Sequence, residues 1–126
     1  GWITVFVMMR DHSGWASPED LCPGPLNPAP DPSQLEPNPR VERSRRLHRN
    51  DLENIPAFWA AGLLFVAVAP PVLLAQVVFY GFAAARFAHG LAYGTGQSHE
   101  MRATFYTIGT LLTAYMVGHV LVVALI

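Results

Sequence analysis

Residues 54–85 read NIPAFWAAGLLFVAVAPPVLLAQVVFYGFAAA, and none of these 32 residues is Asp, Glu, Lys or Arg. As one helix they would run about 48 Å, against a bilayer hydrocarbon core of about 30 Å. Pro70-Pro71 falls near the middle and withdraws two successive backbone donors. The stretch therefore reads as a hairpin of two helices. The spans assigned are 40–69 and 72–93, the first entered through Arg40–Glu53 (RVERSRRLHRNDLE), which has no Gly or Pro and is rich in helix formers. Pro56 can kink that helix without ending it.

Working outward, Gly94-Thr95-Gly96-Gln97-Ser98 is a turn. Residues 103–126 then run without a formal charge, long enough for a further span placed at 101–126. At the other end Gly1–Met9 (GWITVFVMM) stops at Arg10-Asp11. Nine residues make about 14 Å of helix, so they read as the end of a first transmembrane helix whose start lies upstream. Residues 10–39 form the connecting loop, with eight of the eleven prolines between Pro18 and Pro39. Ser17-Pro18-Glu19-Asp20 offers an N-cap and a Pro at the first helical position for one short turn. Cys22–Pro39 reads as extended and mobile. The expected fold class is all-α: a four-helix transmembrane bundle in one domain, residues 1–126, with helix one truncated.

Composition agrees. The chain has 126 residues, 52% apolar and 13% charged, with mean hydropathy +0.27; soluble domains carry about 25% charged residues. Of the 17 formally charged residues, 14 lie before residue 54, and only Arg86, Glu100 and Arg102 lie after it. A half so poor in charge lacks the surface of a soluble enzyme. The net charge of −1 gives no basic footprint for nucleic acid. The single cysteine, Cys22, excludes an intrachain disulfide and a cysteine-based zinc cluster, and no metal is expected. Cys22 reads as an incidental thiol, and His119 as a buried polar contact or a haem ligand.

The Arg cluster at 40–49 sets the orientation. By the positive-inside rule the 10–39 loop and the 94–100 turn are cytoplasmic. Polar residues then gather at that side. Arg43, Arg46, Asn50 and Glu53 share one face of helix two; Arg86, His89 and Tyr93 share one face of helix three; Arg102, Tyr106, Gly109 and Thr113 share one face of helix four. Ionisable residues inside spans usually face a bundle interior or a ligand. Arg86 is expected to pair with Glu53 or to bind ligand; Asp51 and Asn54 are separately expected to make hydrogen bonds within the bundle. Several guanidiniums beside an apolar wall suit an anion with two carboxylates, and an amine for Glu53. Glutathione fits, and so would a phosphate or an acyl anion.

RVERSRRLHRNDLENI (Arg40–Ile55) resembles the signature of the membrane-associated eicosanoid and glutathione metabolism (MAPEG) family, in the pattern R-V-E-R-x-x-R-x-H-x-N-D-x-E. ASPED (Ala16–Asp20) and ARFAHGLAY (Ala85–Tyr93), with Arg102 nine residues beyond Tyr93, agree in spacing. The form is most like the type 1 microsomal glutathione transferase branch, with the prostaglandin E synthase branch next. The resemblance implies a four-helix membrane protein assembling as a homotrimer, with glutathione as co-substrate. It carries glutathione binding to Arg10, Arg43, Arg45, Arg46, His48, Asn50, Glu53, Arg86, His89 and Tyr93. Arg102 matches the arginine beside the thiol and is the catalytic candidate. Tyr106 is a further candidate shared with the synthase branch, whereas Ala103 stands where the synthase has serine and type 1 transferases have alanine.

The function so implied is conjugation of glutathione thiolate to hydrophobic electrophiles that enter from the lipid, with peroxidase activity toward lipid hydroperoxides alongside. The alternatives are a glutathione-dependent isomerase of the prostaglandin E synthase kind and a non-enzymatic lipid-binding scaffold. The expected location is an integral membrane, endoplasmic reticulum or mitochondrial outer membrane for a eukaryotic source.

Overall fold

The computed structural model describes residues 2–126. They form four α-helices and no strand: α1 (Trp2–Asp11), α2 (Pro39–Ala67), α3 (Val72–Gly94) and α4 (His99–Leu125), with short 3-10 turns at Pro18–Asp20 and Pro32–Leu35. The all-α expectation holds. The chain packs as two compact units, one through Arg49 and one from Asn50 to Ile126.

In the first unit, α2 begins where the sequence supplies a cap. The Asn38 side-chain oxygen accepts from the backbone N–H groups of Arg40 (2.8 Å) and Val41 (3.3 Å), ahead of Pro39 at the first helical position. The Asn38 amide also donates to Ser13 Oγ at 2.6 Å and to Asp11 Oδ2 at 3.2 Å, tying the end of α1 to the start of α2. Gly14 adopts φ +77, and the fully buried Val41 occupies the space a Cβ would need, 2.9 Å away. Arg45 Nη2 donates to the Gly14 carbonyl at 2.6 Å, and its Nη1 pairs with Glu42.

The proline-rich loop is folded rather than extended. Asn27 and Gln34 are both buried and exchange side-chain amide hydrogen bonds of 2.6 and 3.1 Å. Gln34 Nε2 also donates to the Ala29 carbonyl, and the Gln34 carbonyl accepts from Trp15 N–H. Composition shows where helix and strand cannot run, but an amide pair seven residues apart leaves no periodic trace. The turn at Pro18–Asp20 forms as expected, although Ser17 makes no side-chain cap.

In the second unit, Phe58, Ala61 and Phe65 of α2 pack against Val78 and Phe82 of α3 and Met116 of α4. Phe58 and Phe82 stack with ring centroids 3.6 Å apart. Gly62 lets the ring of Phe79 approach, since a Cβ there would lie 3.0 Å from it. Pro56 is accommodated inside α2. The hairpin turns at Ala69, whose φ of +49 is a left-handed conformation costing about 1–2 kcal/mol for a residue with a Cβ. Pro70-Pro71 then bars continuation of α2.

The α3–α4 turn is a Schellman closure. Gln97 N–H bonds the Ala92 carbonyl and Gly96 N–H the Tyr93 carbonyl, with Gly96 at φ +70. Ser98 caps α4 by accepting from Met101 N–H. Among the described residues two helices, α3 and α4, are long and apolar enough to cross a membrane. Their outer faces display Leu73, Val77, Phe87, Leu111 and Val122 to the surroundings, as lipid-facing helices do.

Candidate functional site

The Schellman turn brings the last two turns of α3 beside the first two of α4. Tyr93 and Arg102 thereby meet: the Arg102 guanidinium carbon lies 4.7 Å from the Tyr93 ring centroid, a cation–π contact. One helical turn before Tyr93, His89 is almost fully buried. Its ring centroid lies 5.4 Å from that of Tyr93 and 6.4 Å from that of Tyr106. With Asn50 of α2, these side chains line a cavity of about 270 Å³, completed by His99 and Ala103.

Asn50, His89, Tyr93 and Arg102, four of the residues expected to serve the site, are thus brought together, and Tyr106 joins them. His99 was not singled out from the sequence, although it stands three residues before Arg102 and so shares its face of α4. Glu53 is exposed on α2 and does not line the cavity. Arg86 lies one turn deeper than His89, with its side chain 8% exposed. Its carboxylate partner is Asp51, not Glu53, and Asn50 Oδ1 accepts from the same Nη2 at 2.6 Å. The difference is one of helical angle. Asp51 and Glu53 lie about 200° apart around α2, and Asp51 takes the side facing α3. Asn54 uses its amide to donate to the Asn50 carbonyl of its own helix.

Arg10, Arg43, Arg45, Arg46 and His48 belong to the first unit. Arg10 is exposed and pairs with Asp11 at 2.9 Å. Arg45 is engaged by Glu42 and the Gly14 carbonyl. Arg46 and His48 are exposed.

Three buried nitrogens here have no hydrogen-bond partner: His89 Nδ1, Arg86 Nε and Arg102 Nε. Two of the three, His89 and Arg102, belong to residues that line the cavity; buried polar atoms are nearly always satisfied, so orphans there are unusual. Among the described residues lining the cavity there is no carboxylate. Guanidinium offers donors only, while phenol and imidazole can donate. Such a wall suits a ligand rich in acceptors, above all an anion. A second, apolar groove of about 520 Å³ shares Tyr106 with this cavity and runs past Thr110, Thr113 and Gly118 to Leu121.

The MAPEG family model matches residues 2–122. The chain belongs to the MAPEG family. This MAPEG protein is 40% identical over 104 residues to microsomal glutathione S-transferase 1 of Bos taurus, covering 80% of the chain and 66% of that relative. To the Homo sapiens protein of the same name it is 42% identical over 84 residues, 64% of the chain and 54% of the relative. To prostaglandin E synthase of Homo sapiens it is 33% identical over 120 residues, 94% of the chain and 74% of that relative. The MAPEG chain thus spans less than two thirds of the length of the transferases it matches.

Proposed function

We propose that this MAPEG protein binds glutathione at the Asn50–His89–Tyr93–Arg102 cavity and presents its thiolate to hydrophobic electrophiles, as a microsomal glutathione transferase. The observation that carries the reading is a cavity lined by Asn50, His89, Tyr93 and the Arg102 guanidinium, with no carboxylate among its described lining residues. Glutathione supplies two carboxylates and two peptide carbonyls as acceptors. The apolar groove beyond Tyr106 supports a lipid-soluble second substrate. The similarity to the glutathione transferases points the same way.

The nucleophile belongs to the substrate, so Cys22 has no part in the chemistry. A thiol with pKa about 8.5 is only a few per cent ionised at pH 7. Arg102 stabilises the thiolate electrostatically in a site of low dielectric. The sulfur then forms a bond to the electrophilic carbon, the leaving group departs with its electron pair, and the thiol proton passes to solvent. Asn50, His89 and Tyr93 orient the peptide. Arg10, Arg43, Arg45, Arg46, His48, Glu53 and Arg86 are carried as glutathione-binding residues by the family resemblance. Reduction of lipid hydroperoxides, a role in detoxification, a multi-pass homotrimeric state and residence in the endoplasmic reticulum or mitochondrial outer membrane belong to the same proposal.

A second reading, a glutathione-dependent isomerase of the prostaglandin E synthase kind, is favoured by Tyr106 on the cavity wall. Ala103 beside it favours the transferase.

Titration of the detergent-purified protein with glutathione at pH 7, followed by thiolate absorbance near about 240 nm, tests the proposal. A saturable band that Arg102→Ala abolishes supports it. Binding without the band moves the assignment to the isomerase, and incubation with an endoperoxide lipid would identify the product. No binding leaves a lipid-presenting scaffold.

A further inference from the structure

Arg86 has no place on the cavity wall, yet it is a buried guanidinium deep in an apolar helix. Such a group is costly unless its charge is paired. It is paired with Asp51, and the same Nη2 also donates to Asn50 Oδ1 at 2.6 Å. Asn50, unlike Arg86 and Asp51, does line the cavity. Guanidinium has donors and no acceptor. Asn50 must therefore turn its oxygen toward Arg86, and its NH2 half is left for whatever occupies the cavity.

We propose that Asp51 and Arg86 are positioning residues that lock the Asn50 amide as a hydrogen-bond donor, making the cavity selective for ligand acceptors such as carboxylate or peptide carbonyl. An unrestrained asparagine could rotate its amide and serve a donor or an acceptor equally. Fixed by Arg86, it serves acceptors alone. Asp51 neutralises Arg86 and holds its Nη2 against the amide oxygen. Arg86 thus acts on the ligand through Asn50, which explains how a residue outside the cavity can matter to binding. The inference rests on the glutathione reading for its ligand but not for its geometry.

Two measurements on the full chain in detergent test it. The first is glutathione binding by calorimetry, with steady-state turnover of an aryl halide electrophile. Asp51→Asn should raise Kd and KM for glutathione about tenfold, while kcat at saturation falls by less than about twofold. Asp51→Glu should restore most of the affinity. Asn50→Asp keeps an acceptor for Arg86 but replaces the donor half, so it should weaken binding more than about tenfold at an unchanged melting temperature. Asp51→Asn with wild-type Kd overturns the proposal. So does a loss of kcat at constant KM, which would mean fewer folded molecules.

The second measurement needs no glutathione. The Asn50 side-chain NH2 pair should give one sharp set of 15N-correlated signals in the wild type and a broadened or doubled set in Asp51→Asn. An unchanged pair overturns the positioning role whether or not glutathione binds. A wild type that shows the locked amide but does not bind glutathione would support the device and refute the ligand.

Discussion

Replacing Arg102 by alanine removes the guanidinium that stands 4.7 Å from the Tyr93 ring centroid on the wall of the cavity. Two opposite charges about 4 Å apart attract by about 4 kcal/mol at an effective dielectric of about 20. Partial exposure of Arg102 reduces that figure. Lowering a thiol pKa by about two units requires about 2.7 kcal/mol, which is within reach. At pH 7 a thiol with pKa about 6.5 is about three quarters thiolate, and one at about 8.5 is about 3% thiolate. Arg102→Ala should therefore lower turnover at pH 7 about 25-fold through ionisation alone. The sign with pH follows: the deficit should shrink as pH rises through the free thiol's pKa, because solvent hydroxide then does what Arg102 did. The assay is a pH–rate profile at saturating glutathione, with thiolate absorbance read in parallel. A variant with wild-type thiolate absorbance at pH 7, or a deficit that stays constant from pH 7 to about pH 10, would refute thiolate stabilisation by Arg102.

Asn27→Ala should leave the buried Gln34 Oε1 without its donor and destabilise the proline-rich loop by about 1–3 kcal/mol; limited proteolysis should cut faster between Pro23 and Pro39. Gly14→Ala meets both a φ of +77 and the Val41 side chain, and should cost the first unit about 1–3 kcal/mol, read as a lower melting temperature with α4 amide protection unchanged. The Asp31 carboxylate is held below the usual aspartate range, chiefly by hydrogen bonding to the Ser33 side chain and then to its backbone N–H. The stabilisation is present above the ordinary aspartate pKa and disappears as pH falls through the lowered value; an NMR titration midpoint at or above that of free aspartate would contradict this. Arg46→Ala and Glu53→Ala should raise KM for glutathione while changing kcat at saturation by less than about twofold, as steady-state kinetics will report.

How far local sequence carries depends on the distance over which each determinant acts. The uncharged stretch 54–85 and Pro70-Pro71 make a helical hairpin legible, because span length and missing donors are properties of the chain itself. The clustering of His89, Tyr93, Arg102 and Tyr106 was legible for the same reason: spacings of three and four residues put side chains on one helix face, and a short turn forces the two helix ends together. Asn50 and His89, both singled out from sequence spacing, line the cavity. The choice of Asp51 over Glu53 for Arg86 was not legible, since both carboxylates lie within reach in sequence and only the rotation of α2 against α3 separates them. His99 lies at the first position of α4, at the edge of the turn, and only the spacing of three residues to Arg102 places it on that face. The proline-rich loop misled for a related reason. Its composition forbids regular structure, but the Asn27–Gln34 pair that orders it depends on chain reversal.

The amino-acid sequence by itself determined that this protein is helical, apolar after residue 54 and polar at one set of helix ends, because hydrophobic period, proline and charge act within a few residues. Only the tertiary structure decided which of those polar groups are consumed in holding one another and which are left unpartnered. Hydrogen bonds between helices depend on the angle and depth at which the helices pack, and no single helix carries that information.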